Sequence, residues 1–152
     1  MSDSHSQRAT VCLRKLAEFD PAFASLSLWC KHRDSVTVDV KTEEGEDARF
    51  DFAVAPAWTD GRTVWYGSEF EKWSLQEQMA VAAHELTHVA FRHIARGKAL
   101  YARFGDKYRP DIFNIATDAI INETLRLAGY TLPKDGVFLT ELFEKVFGEK
   151  IA

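Results

Sequence analysis

Apolar positions recur along this chain first at helical spacing, then in alternation, then at helical spacing again. From Arg8 to Phe19 the residues Val11, Cys12, Leu16 and Phe19 share one face of a helix. Asp20-Pro21 supplies a cap and a first-turn proline for a short second helix reaching to about Cys30, with Phe23, Leu26 and Trp29 inward. After Asp34 the period drops to two. Val36, Val38 and Val40 alternate with Thr37 and Asp39, and Ala48 to Ala53 returns as a second strand after the acidic turn 42–47. A solvated loop tip is the simplest reading of that acidic turn. Asp60-Gly61 signals another turn, and Thr63-Val64-Trp65-Tyr66 predicts a third strand, apolar on both faces and ending at Gly67.

Helical spacing then resumes. Ser74-Leu75-Gln76-Glu77 is a capping box, where a serine hydroxyl and a glutamate three residues on satisfy the first free N–H groups of a helix. The pattern predicts one helix from there to about Arg96, with Gly97 just past its end. A second long helix is predicted from Pro110-Asp111 to Ala128, stopped by Gly129, and a short one from Thr140 to Phe147. Residues 1–7 read as a frayed start, with His5 exposed in it. The expected class is α+β in one domain spanning 1–152: about three mostly antiparallel strands packed on two long helices, with helices at either end.

The candidate chemistry lies in the first long helix, at His84-Glu85-Leu86-Thr87-His88. Residues four apart on a helix are separated by about 40° around its axis, so both imidazoles reach one ion. Zinc accepts imidazole nitrogen, and a catalytic zinc keeps three protein ligands and one open position. Glu85 stands beside that face as the group to take a proton from water. Val81, Phe91 and Ala95 flank the pair, so the histidines are expected to face inward.

A third ligand must come from elsewhere, and two residues compete. On an unbroken helix His93 lies about 180° round from His84 and about 13 Å along the axis. It reaches the same ion only if the helix breaks between Val89 and Phe91, where no glycine or proline stands. His93 then reads as a core or helix-end histidine, bonding across to the second long helix. Asp118 is preferred. Asn114, Asp118 and Asn122 form a polar stripe bordered by Ile115, Ile121 and Leu125, and polar groups set among aliphatics need partners. A metal held by Asp118, with the amides orienting its ligands, supplies them; Asn122 or water is the remaining alternative.

Composition narrows the rest. With a formal charge of −4, 46% hydrophobic and 28% charged residues, the chain resembles a soluble globular protein and lacks the basic surface of a nucleic-acid binder. The two cysteines, Cys12 and Cys30, form neither a C-x-x-C pair nor a disulfide framework. With neither a leader-like nor a membrane-length apolar run in view, a cytoplasmic location without membrane partners is expected.

The run 83–90, His93, Asn114-Ile115-Ala116-x-Asp118-x-x-Ile121-Asn122 and Gly129-x-x-Leu132-Pro133, with Gly61 to Tyr66 upstream, resembles a family of bacterial and phage metallopeptidase-like domains. In that family the domain often precedes a von Willebrand factor A-like domain. The resemblance covers roughly 56–134. It implies a zincin-like fold, zinc on His84 and His88, Glu85 as catalytic base and Asp118 as third ligand. The resulting expectation is a zinc metallopeptidase acting on a peptide or protein substrate. The strand 63–66 would bind the substrate as an added strand, with Tyr66, Tyr101, Tyr108 or Arg92 near the oxyanion. The rival is a non-catalytic zinc-stabilised binding or regulatory module for a protein partner. Glu85 weighs against it, because a purely structural metal has no need of an acid beside its first ligand.

Overall fold

Helix α3 (Leu75–Ala90) is the element on which the others converge. In the computed structural model, which describes residues 6–35, 57–133 and 138–148, it packs against α1 (Thr10–Phe19), α2 (Pro21–Leu28), α4 (His93–Phe104), α5 (Pro110–Leu127) and strand β2 (Ala57–Thr59). Its apolar side is built from small residues. Ala80, Ala82 and Ala83 are fully buried, which lets neighbouring backbones approach closely, and Leu86 fills the space below them. The helix begins as the sequence predicts. The Ser74 hydroxyl accepts from the Glu77 N–H at 3.2 Å, and the Glu77 carboxylate accepts from the Ser74 N–H at 3.4 Å.

The class is α+β, with six helices and three strands among the described residues; the sixth helix is α6 (Leu139–Phe147). The sheet is mixed. Strand β3 (Thr63–Tyr66) is central, parallel to β1 (Lys31–Asp34) on one side and antiparallel to β2 on the other. Because both of its edges are taken, β3 cannot receive a substrate as an added strand, which corrects that expectation. Strand β1 had no sequence prediction, and the predicted strands at 36–40 and 48–53 lie outside the described residues. The C-terminal ends of the parallel pair are tied by Arg8, whose guanidinium donates to the carbonyls of Ser35 at 2.9 Å and Tyr66 at 2.8 Å. Beside it the Ser6 hydroxyl donates to Asp34, so the chain is anchored from Ser6 rather than frayed through Gln7.

Helices α1, α2, α5 and α6 stand close to their predicted bounds, and Gly129 follows α5 with φ of 92°, the left-handed turn that ends it. The inward face of α2 is Phe23 and Leu26, but Trp29 is 87% exposed, past the helix end. Both cysteines are buried and free, and burial pushes the Cys12 thiol up to about 12. Among the described residues, no helix is long and apolar enough to cross a membrane.

One boundary is wrong in the sequence reading. The predicted helix to Arg96 is two helices, broken after Ala90 where Arg92 takes φ 55° and ψ 40°. A non-glycine residue held there costs on the order of 1–3 kcal/mol, so surrounding contacts must hold the break in place. They are visible in α4. Turning the chain lays buried Gly97 against α5, where a Cβ would stand 3.0 Å from the Tyr108 hydroxyl and 3.3 Å from the Phe113 ring. Gly97 is thus a packing residue inside α4, and Ala95, expected to flank the histidines, is exposed.

The capping box lies far from the candidate chemistry and tests the helix alone. Ser74→Ala is expected to lower folding stability by about 1 kcal/mol. A urea midpoint that falls with an unchanged slope is the signature.

Candidate metal centre

His84 and His88 leave α3 on the side facing α5, each side chain about 15% exposed, at 15% and 14%. Opposite them α5 presents Asp118. Its Oδ1 lies 3.1 Å from His84 Nε2 and 2.8 Å from His88 Nε2, and the two Nε2 atoms are 3.1 Å apart. Three donor atoms from two helices thus meet at one point. Asp118 is the residue brought to the histidine pair, and the distances allow a direct test of fit. Donors about 2.0–2.1 Å from a tetrahedral zinc stand about 3.3–3.4 Å from one another, a few tenths of an ångström wider than those found here. The donor chemistry, two imidazoles and one carboxylate, suits the same ion.

The far side of each imidazole supports this. His84 Nδ1 is 2.6 Å from Asn122 Oδ1, and His88 Nδ1 is 3.0 Å from His93 Nδ1. An amide oxygen only accepts, so His84 donates its Nδ1–H to Asn122. That leaves Nε2 as the nitrogen that faces Asp118, donating to the carboxylate in the metal-free protein and able to give up that proton to ligate an ion. If His88 is arranged alike, His93 Nδ1 accepts and holds its own proton on Nε2. The surroundings of His93 favour that neutral form: burial, then the nearby His88 and Arg96, lower its pKa. His93 is therefore placed by the helix break within reach of His88, but behind it. It does not join the converging donors. Its ring packs edge-on against His88 and Phe113, with centroids 5.2 and 6.1 Å away. The break at Phe91 and Arg92 carries no glycine or proline, so the only sequence sign of this contact was the fifth-residue spacing of the two histidines.

Of the two amides in the α5 stripe, Asn122 is buried on His84, while Asn114 is exposed at the cleft. The charges of the donor set are mutually adjusted. Burial alone pushes Asp118 up, yet its bonds to His84 and His88 and their charge outweigh that and hold it well below the usual carboxylate range. For His84, burial works downward, but Asp118, Glu85 and Asn122 together raise its pKa above the ordinary 6.5.

A cleft of about 570 Å³ opens over these atoms. Its floor is Glu85, His88 and Asp118, β2 contributes Trp58 and Thr59, and the opposite wall is Tyr101, Tyr108 and Phe113. Glu85 is 9% exposed, and no group among the described residues hydrogen-bonds its carboxylate. Burial pushes its pKa up against the opposing pull of His84 and His88. Of the four side chains named for the oxyanion, Tyr101 and Tyr108 line the cleft. Tyr66 does not, because it is fully buried with its hydroxyl 2.9 Å from His32 Nδ1. Arg92 faces a neighbouring cavity. The cleft walls, and Trp58 and Phe113 in particular, escaped sequence reasoning because isolated aromatics look like core.

A family model described as "Putative metallopeptidase domain" matches residues 4–151. The chain belongs to that family, and so to a class of metal-dependent, hydrolase-like domains. No curated protein and no solved structure matches it.

A raised pKa on a buried acid means the folded state resists its ionisation. In metal-free protein, stability is therefore lost as pH rises from 4.5 through Glu85's higher folded value. Glu85→Gln removes that loss. The variant is expected to melt at a higher temperature than the parent at pH 7 in chelator, with the difference vanishing near pH 4.

Proposed function

We propose that this protein is a zinc-dependent peptidase of zincin-like design, with zinc held by His84, His88 and Asp118 and Glu85 as general base. The observation that carries this reading is the meeting of the two Nε2 atoms and Asp118 Oδ1 beside a cleft that His88, Asp118 and Glu85 line. The ion, when bound, would polarise the scissile carbonyl and make water acidic enough to lose a proton near neutral pH. Glu85 takes the proton of the attacking water and hands it to the departing amine, so the acid and amine products each gain what the water supplied. Its raised pKa suits a group that must both accept and return a proton. Asp118 brings one negative charge to the ligand set, and Asn122 and His93 hold the imidazoles in the tautomer that ligation needs. The substrate is a peptide or protein segment lying between β2 and the aromatic wall of α4 and α5.

Metal analysis of protein exchanged into zinc is expected to give one ion per chain, lost in Asp118→Ala. A wild-type protein without stoichiometric metal ends the proposal. Glu85→Gln should keep the ion and lose about 10²–10⁴-fold in peptide hydrolysis. Retained zinc with no hydrolysis across a broad peptide library would instead favour the metal-stabilised binding module.

His93 gives a finer test. His93→Leu removes the acceptor behind His88 and is expected to weaken zinc about 10–100-fold in chelator competition. His93→Asn keeps an acceptor near the same position and should recover most of that. Equal losses in both variants would mean that His93 acts only through packing.

A further inference from the structure

A second cavity, of about 290 Å³, adjoins the cleft, and Ile94 and Lys98 line both. Its other walls come from the β2–β3 turn and the break between α3 and α4, and they place Arg62, Arg92 and Lys98 around one space. We propose that this cavity is a carboxylate-binding subsite, selecting peptides that carry an acidic side chain or a free C-terminus a fixed distance from the bond cut. The proposal rests on the peptidase reading for its substrate and on the following observations for its site.

The charge there is concentrated and uncommitted. In a chain of net charge −4, three cations line this cavity, and none of them forms an ion pair among the described residues. Other exposed cations, Arg14 and Arg103 among them, also lack an ion pair among the described residues, so what marks this cavity is the gathering of three around one space. The one acid in the lining, Asp60, feels the charge of Arg62 and keeps its own, so three cations face one carboxylate, whose oxygen is also engaged by its turn. Its Oδ1 accepts from the N–H groups of Arg62 and Thr63, both at 2.9 Å. The cavity therefore carries a positive excess that a substrate carboxylate would complete.

Arg92 adds an independent sign. It is the one non-glycine residue with positive φ among the described residues, at the position where glycine would turn the chain without strain. Keeping a side chain there is unfavourable for the fold alone. Arg92 lines the cavity, which gives a cationic side chain at that position a use, and strain tolerated at a binding position is a recurring pattern. The space is large enough to take a carboxylate side chain or a chain end. It also opens beside the cleft rather than across the molecule, so one extended peptide can occupy both.

The test compares zinc-loaded wild type with Arg62→Ala and Arg92→Gly. Three versions of each library peptide are used: one with an internal Asp or Glu, one neutral with a free C-terminal acid, and one neutral and amidated. Wild type is expected to prefer one acidic version by on the order of ten- to a hundredfold in kcat/KM over the amide. Which version is preferred identifies the source of the carboxylate. The preference should shrink with salt and fall towards unity in both variants. Arg92→Gly should at the same time melt no lower than wild type, since it relieves the backbone. Hydrolysis indifferent to acidic groups, or a preference unchanged in the variants, overturns the subsite and leaves the peptidase reading intact. If wild type hydrolyses nothing, the peptidase reading fails and binding decides the subsite. Fluorescence anisotropy on Glu85→Gln would then show tighter binding of acidic peptides, lost on adding Arg92→Gly, or equal binding of all three, which overturns it.

Discussion

The interface between α3 and α5 imposes the constraint that shapes the rest of the molecule. Two imidazoles and a carboxylate are inserted between helices whose buried faces are largely apolar, with Ala80, Ala83 and Leu86 on one and Ala119, Ile121 and Leu125 on the other. Polar atoms in such surroundings are unfavourable unless every donor and acceptor is matched. Each imidazole has two nitrogens to satisfy, and the fold addresses both. The Nδ1 atoms are placed against Asn122 and His93, leaving the Nε2 atoms to converge on Asp118. Matching all of these contacts fixes the spacing and rotation of the two helices together. Moving either helix by one residue would break several contacts at once.

What could be read in the sequence follows the same logic. The H-E-x-x-H spacing, the capping box and the Asn114, Asp118, Asn122 stripe all sit on regular helix, where period alone determines facing. Their positions therefore followed from counting. The break at Phe91 and Arg92 could not be counted, because no residue there prefers a left-handed backbone. It is held by contacts made at the next residue, His93, and further on at Gly97, Tyr108 and Phe113. Gly97 was visible but ambiguous. A glycine after a periodic run normally ends a helix, and here it is the close-contact position within one. Strand β1 was missed for another reason. Lys31-His32-Arg33-Asp34 buries only His32 deeply, which bonds Tyr66 and Ser27, and its strand character comes from backbone pairing with β3.

Glu85 illustrates how stability and proposed chemistry pull apart. Among the described residues nothing hydrogen-bonds the Glu85 carboxylate, which lies almost buried at the edge of the cleft, and a partner supplied by the protein would lower the cost of its charge. Such a partner would also depress its basicity and draw it away from the cleft. An acid left open to the cleft suits the proposed proton transfer, with the adjacent histidines moderating the cost of its charge. Local inconsistency of this kind is expected at a working site and has no value in a purely structural metal centre.

The helix break connects features that look separate along the chain. One left-handed residue turns α4 so that His93 backs His88, Gly97 receives Tyr108 and Phe113 as a cleft wall, and Arg92 itself faces the cationic cavity. Orientation of a proposed ligand, shape of the cleft and charge of the neighbouring space thus share a single backbone cause. A straight helix through Arg96 would keep His84, His88 and Glu85 where they are and lose all three. The five-residue motif carries the proposed reaction, whereas the proposed subsite beside it depends on the turn that follows, and substitutions that straighten this turn would alter the cavity before they touched the donor set.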